Sequence, residues 1–180
     1  MDATRDGMRW RSFALLGLAL AGLLISLDLA AFQVGVAGPP WEPLFGDGSR
    51  RVLTSDLSRL LPIPDAAVGA GAYLVEVILG AALVIRPSGL TRTAIALAVV
   101  ASIGAAVGAV LVGYQVLVVG AACTLCMASA VVSWALAGGA IVEARDRRLR
   151  RSPSTHDQGG DRRPRSPGST ADRSKEPVTT

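Results

Sequence analysis

Four long apolar runs dominate the sequence. They extend from about Ser12 to Val34, Ala66 to Ile85, Thr93 to Val119 and Cys123 to Val142. Each reaches the roughly 20 residues that a helix needs to cross a bilayer core. A helix also satisfies its own backbone hydrogen bonds, which lipid cannot do. The pattern therefore predicts an all-α membrane protein, a four-transmembrane-helix bundle. Small residues recur inside the runs: Gly69, Gly71 and Gly80 in the second, Gly104, Gly108 and Gly113 in the third. Such residues let helices approach closely where no hydrophobic drive acts between them.

The breaks between runs are unequal. The first, over residues 35–65, is long, and the one near Gly120 is very short. Long connections in compact domains are usually functional or partly structured. Ser49 to Leu61 carries Val52, Leu53, Leu57, Leu60 and Leu61 at helical spacing. This predicts a short amphipathic helix in the first outer loop, lying on the membrane face or capping the bundle. Pro62 and Pro64 stop it and set an extended approach to the second run. From Ser152 onward the chain is polar and has no apolar period, so it cannot offset its ordering entropy. The expected division is an N-terminus over 1–11, a membrane domain over 12–144 and a disordered basic tail over 145–180.

Composition fits this division. Hydrophobic residues make up 51% of the chain and charged residues 18%, most of them in the flanks and one loop. The net charge of +4 comes largely from arginine-rich flanks. No basic patch interleaves with aromatics, which argues against nucleic-acid binding. Arg5, Arg9 and Arg11 precede the first run, Arg86 and Arg92 separate the second and third, and Arg145, Arg147, Arg148, Arg150 and Arg151 follow the fourth. With four spans all three groups fall on one side, which predicts a multi-pass cell-membrane protein with both termini cytoplasmic. Arg50, Arg51 and Arg59 in the first outer loop reduce the contrast. The first run follows basic residues as a signal peptide does, but it is longer than a signal core and three more runs follow, so it reads as a retained helix.

The chain has two cysteines, in Cys123-Thr124-Leu125-Cys126, and its one histidine, His156, lies in the polar tail. Two sulfurs cannot complete a structural zinc site, so no metal is expected. A Cys-x-x-Cys at a helix start brings two sulfurs within reach, and the helix N-terminus favours a thiolate. The topology places this pair on the oxidising side, with Cys126 one turn deeper than Cys123. Buried apolar packing is the competing reading of two cysteines in a membrane helix. Asp28 and Glu76 fall in or near spans, where an ionisable group is a functional candidate, and Glu76 is expected to face the interior. Asp65 stands at the mouth of the second run, either shaping the outer site or capping the helix. Tyr73 and Tyr114 fit a pocket lining, though interfacial tyrosines are also routine anchors. Trp134 reads as packing.

Three stretches resemble the vitamin K epoxide reductase family of membrane thiol oxidoreductases. They are Arg51-Val52-Leu53-Thr54-Ser55 with Leu60-Leu61-Pro62-Ile63-Pro64-Asp65-Ala66, then Gly69-Ala70-Gly71-Ala72-Tyr73-Leu74, then Tyr114-Gln115 with Gly120-Ala121-Ala122-Cys123-Thr124-Leu125-Cys126. The last is the most specific, and the likeness covers roughly Phe13 to Trp134. It implies a quinone pocket in the bundle, for a quinone of the menaquinone or ubiquinone type. Cys126 would face the quinone, and Cys123 would receive electrons from a thioredoxin-like or other thiol protein on the outer side. Ser55, Asp65, Tyr73 and Tyr114 become candidate pocket residues, Ser55 standing where the family has a serine. The sequence departs from the family at two places. Trp41 and Ser49 occupy the positions of the loop cysteines that relay electrons to the core pair. Two readings follow: a quinone-linked thiol–disulfide oxidoreductase reached directly by a partner, or a non-catalytic membrane scaffold or subunit that keeps the fold without the relay.

Overall fold

The computed structural model describes residues 3–55, 64–86 and 91–151. They form helices α1 (Ala3–Gln33), α2 (Gly48–Leu53), α3 (Asp65–Ile85), α4 (Thr91–Tyr114) and α5 (Thr124–Arg151). A π-helical segment, Gln115–Val119, continues α4 and ends at Gly120, whose φ of 61° turns the chain toward α5. Four helices are long and apolar enough to span a membrane: Arg9–Gln33, Asp65–Ile85, Thr91–Val119 and Thr124–Arg150. The protein is an all-α, multi-pass membrane bundle.

The spans run alternately up and down. We call the end with α2 and both cysteines the loop end, and the other the tail end. Around the bundle α1 packs on α3 and α5, and α4 packs on α5 and α3, which closes a ring of four. Leu15, Ala19, Tyr73, Leu83, Leu97, Ala101, Leu136 and Ala140 belong to its interior cluster. Many of the other large apolar side chains, such as Leu24, Ile78, Val110 and Val131, face outward, as lipid-facing helices require. The expected role of small residues is visible at the contacts. A Cβ at Gly80 would sit 3.5 Å from the Leu16 backbone, and one at Gly108 would sit 3.7 Å from Ala130. At Gly22 there is no room for a Cβ, because the Tyr73 ring occupies the place, with Cε1 2.1 Å from it.

Two boundaries differ from the sequence reading. Helix α1 begins by Ala3, within the stretch assigned to the N-terminus, and α5 continues to Arg151, through the start of the expected tail. Side chains at the tail end account for this extension. Arg11 pairs with Asp146, and the buried Arg147 Nε donates to Glu143 Oε1 at 2.7 Å, one turn apart on α5. These bonds hold the last turns of α5 helical beyond its apolar part. The loop helix is present over Gly48–Leu53. Leu57, Leu60, Leu61 and Pro62, expected to extend and stop it, and the tail from Ser152 lie outside the described residues.

Candidate redox site at the loop end

Cys123 is the N-cap of α5. Its carbonyl accepts the first helical bond, from Met127 N at 2.9 Å, and its sulfur accepts the N–H of Cys126 at 3.2 Å. A sulfur in this position answers one of the free N–H groups of a helix start and lies at the positive end of the helix dipole. Both cysteines are free thiols, Cys123 wholly buried and Cys126 partly exposed. Hydrogen bonding from the Cys126 side chain is the largest influence on Cys123 and lowers its pKa. Burial raises it, hydrogen bonds from Ser49 and the Cys126 backbone lower it, and the Glu42 charge raises it. Together they bring the thiol from 9.0 down to about 7. The two sulfurs therefore face one another at the helix start, with Cys123 prepared to act as a thiolate near neutral pH.

The loop folds over this site. Val52, Leu53, Leu29 and Cys123 form a buried cluster, with Ile25, Phe32, Ala66, Val119 and Cys126 against it. Helices α1, α2, α3 and α5 and the π-helical segment thus all contribute to the dry surroundings of the pair. Gly48 lies so close to the chain before α5 that an added Cβ would sit 1.9 Å from the Ala122 carbonyl oxygen. Ser49 is buried beside Cys123.

A residue that sequence reasoning passed over organises this contact. Glu42 Oε2 accepts the backbone N–H of Ser49 at 3.2 Å and that of Thr124 at 3.2 Å, and also the Ser49 hydroxyl. Its Oε1 accepts Phe45 N at 3.3 Å and the Thr124 hydroxyl. One carboxylate thus caps the first turns of both α2 and α5, joining residues 82 apart in the chain. Burial pushes the Glu42 carboxyl up, but the bonds from Ser49, Thr124 and Phe45 outweigh it and hold it at about 2 instead of 4.5. A lone glutamate between Trp41 and Pro43 gives no sign of this in sequence, since its partners are distant.

The other predicted site residues lie on or beside α2, α3 and α4, and Asp65 is near enough to Cys126 for its charge to act there. Asp65 opens α3, where its Oδ1 accepts Ala66 N at 2.9 Å and the Gln33 side-chain amide. It therefore caps its own helix and ties α3 to the end of α1. Ser55, just after α2, donates its hydroxyl to the Val52 carbonyl at 2.7 Å, a local bond at the helix end. Tyr114 ends the α-helical part of α4 and is half-buried. Tyr73 is buried one layer below the cysteines. Its hydroxyl donates to the Ser129 carbonyl at 2.9 Å or to Ser133 Oγ at 2.6 Å, and stands 3.1 Å from Ser129 Oγ. Ser129 and Ser133, one and two turns past Cys126 on α5, were not singled out in the sequence.

Glu76, one turn past Tyr73, faces inward as expected and is 3% exposed. Its Oε1 would lie 3.7 Å from a Cβ at Gly104, and its Oε2 has no hydrogen-bond partner. Gln115 Oε1, buried in the π-helical segment, is likewise unpartnered. Asp28, the other candidate in a span, is on the exposed face of α1. Trp134 donates Nε1–H to the Ala105 carbonyl at 3.0 Å, joining α5 to α4. Among the described residues, no group of three or more His, Cys, Asp or Glu side chains converges as a metal site would need.

A search of curated proteins returns no match to this chain. The family model described as the vitamin K epoxide reductase family matches residues 13–141, which covers most of all four spans, the loop helix and both cysteines. The chain, a membrane bundle of the oxidoreductase kind, belongs to the vitamin K epoxide reductase family.

Proposed function

We propose that this protein is a quinone-linked thiol–disulfide oxidoreductase of the cell membrane. Both termini would be cytoplasmic and the loop end would face the oxidising side, as the distribution of Arg9, Arg86, Arg92, Arg145 and Arg148 favours. The observation that carries the reading is the Cys123 sulfur. It caps α5, accepts the Cys126 N–H and has a thiol pKa of about 7.

In the reaction, a reduced thiol partner attacks the Cys123–Cys126 disulfide at Cys123. A second partner thiol resolves the mixed disulfide, leaving the partner oxidised and both cysteines as thiols. When the pair re-forms its S–S bond it gives up two electrons and two protons. A quinone, when bound, supplies the two-electron acceptor and leaves as the hydroquinone. The residues support a quinone head group near Cys126. Cys126 is a partly exposed residue, and the unpartnered Gln115 and Glu76 oxygens and the Tyr73–Ser129–Ser133 hydroxyls provide polar groups inside an otherwise apolar bundle. The protein's part is to exclude water and orient the sulfurs.

The test is quinone reduction by the purified protein with a small dithiol as electron donor. Cys126→Ser is expected to lower turnover by about a hundredfold or more, since no disulfide can then form within the pair. Turnover equal to wild type would refute the mechanism. The Trp41 and Ser49 replacements favour a second reading, a scaffold that retains the fold without turnover. It predicts a stable membrane partner, recovered equally well with Cys123→Ser and Cys126→Ser, and no quinone reduction by wild type.

A further inference from the structure

The geometry points to Glu42 as a positioning residue that latches α2 over Cys123, so that an outside thiol reaches this sulfur only when the Glu42 bonds to Thr124 are released. The closure itself is a matter of geometry; its purpose rests on the redox reading above. Cys123, the sulfur that must meet the partner, is 0% exposed. The material over it is short: six residues of α2, of which Val52 and Leu53 enter the cluster around the sulfur. A helix of this length has no stability of its own in water, so its position depends on what ties it down. Gly48 brings the loop backbone against Ala122, but that contact is steric and supplies no bond.

Glu42 provides the tie. It holds Ser49 on α2 and Thr124 on α5 through both their backbone N–H groups and both their hydroxyls. Ser49 N is a first-turn donor of α2 and Thr124 N a first-turn donor of α5, and neither has an acceptor within its own helix. Release of the carboxylate frees both helix starts at once. The loop can then swing away while the four spans, joined by the interior cluster, stay in place. Segments with few buried contacts open at a small fraction of the cost of global unfolding. A partner therefore has to offer donors of its own to Glu42, or trap the loop when it opens.

The experiment is alkylation of reduced protein in lipid nanodiscs with a bulky maleimide, each cysteine being followed by mass spectrometry. Working near pH 9, above the Cys123 pKa of about 7, keeps the sulfur a thiolate in every variant and removes the direct effect of the Glu42 charge. Wild-type Cys123 is expected to react slowly. Glu42→Gln should speed it by about tenfold or more, since an amide cannot accept at both of its ends. Thr124→Val removes one bond and keeps the carboxylate, and should speed it by about threefold. Helix content, read by circular dichroism, should stay at the wild-type value in both.

Rates for Cys123 within twofold of wild type in both variants would overturn the proposal. So would a loss of helix content in both, read by circular dichroism, which would mean general unfolding. Quinone reduction is measured on the same samples. Faster labelling with no quinone reduction, even by wild type, would sink the redox reading and leave the latch. Quinone reduction with unchanged labelling would do the opposite.

Discussion

Replacing Glu42 by glutamine removes one negative charge and little volume, and its effect on stability should depend on pH. In the folded protein the carboxyl titrates at about 2, against an ordinary value of 4.5. A group whose pKa is depressed by folding stabilises the fold above its unfolded pKa and loses that contribution as pH falls toward its folded pKa. The full difference corresponds to about 3 kcal/mol. Because the side chain is only half-buried, solvent screening reduces the expected contribution to about 1–2 kcal/mol. Glutamine also turns an N–H₂ toward donors that Glu42 accepts, a cost that does not vary with pH. Thermal unfolding of both proteins in a mild detergent, followed by helical circular dichroism from pH 3 to 7, measures this directly. Wild type should be the more stable at pH 7. The gap should hold down to about pH 5, and about half or more of the carboxylate's contribution should be gone by about pH 3. A gap of the same size at pH 3 and pH 7 would show that the charge on Glu42 does not hold the loop end together.

Three other substitutions probe separate parts of the site. Tyr73→Phe removes the hydroxyl that meets Ser129 and Ser133 in the bundle interior, and should cost about 1–3 kcal/mol, read as a lowered unfolding temperature with unchanged helix content. Gly48→Ala forces a methyl group against the Ala122 carbonyl, where the backbone has to move. It should destabilise the loop end by about 1–3 kcal/mol and raise Cys123 alkylation without changing helix content. Ser49→Cys puts a thiol beside Cys123, and mild oxidation should yield a disulfide between the introduced thiol and Cys123, detected by mass spectrometry of a non-reduced digest; recovery of only a Cys123–Cys126 crosslink would contradict the placement of α2.

The four spans were legible because lipid demands long apolar helices, and all four were placed within a few residues at the loop end. At the tail end the limits of the second and third spans were legible too, but those of α1 and α5 were not, since their polar turns carry charge pairs such as Arg11–Asp146 and Glu143–Arg147 that an apolar run does not reveal. The cysteine pair was visible in its spacing, which left redox chemistry and apolar packing both open until the family likeness was added. The inward aim of Glu76 followed from the cost of exposing a carboxylate to lipid. The organising role of Glu42 was hidden, because it depends on a loop returning to the start of α5. Ser55 came from the family likeness, and what the structure shows of it is a local bond to the Val52 carbonyl. For Asp65, whose two sequence readings were site and cap, the bonds to Ala66 N and Gln33 are those of a cap and a tie, while its charge also reaches Cys126, so neither reading displaces the other.

Tyr73 has a mechanical consequence. Rooted in α3, seated in the gap left by Gly22 on α1 and fastened to two serines of α5, it crosses the bundle like a bolt through three timbers. Sliding of any one of these helices against the other two would have to break its hydroxyl bonds or force its ring out of its seat. Making and breaking the bond between the two sulfurs therefore has to be absorbed above that bolt, by the opening turn of α5 and the segment carrying Glu42, while the helices below move as one body.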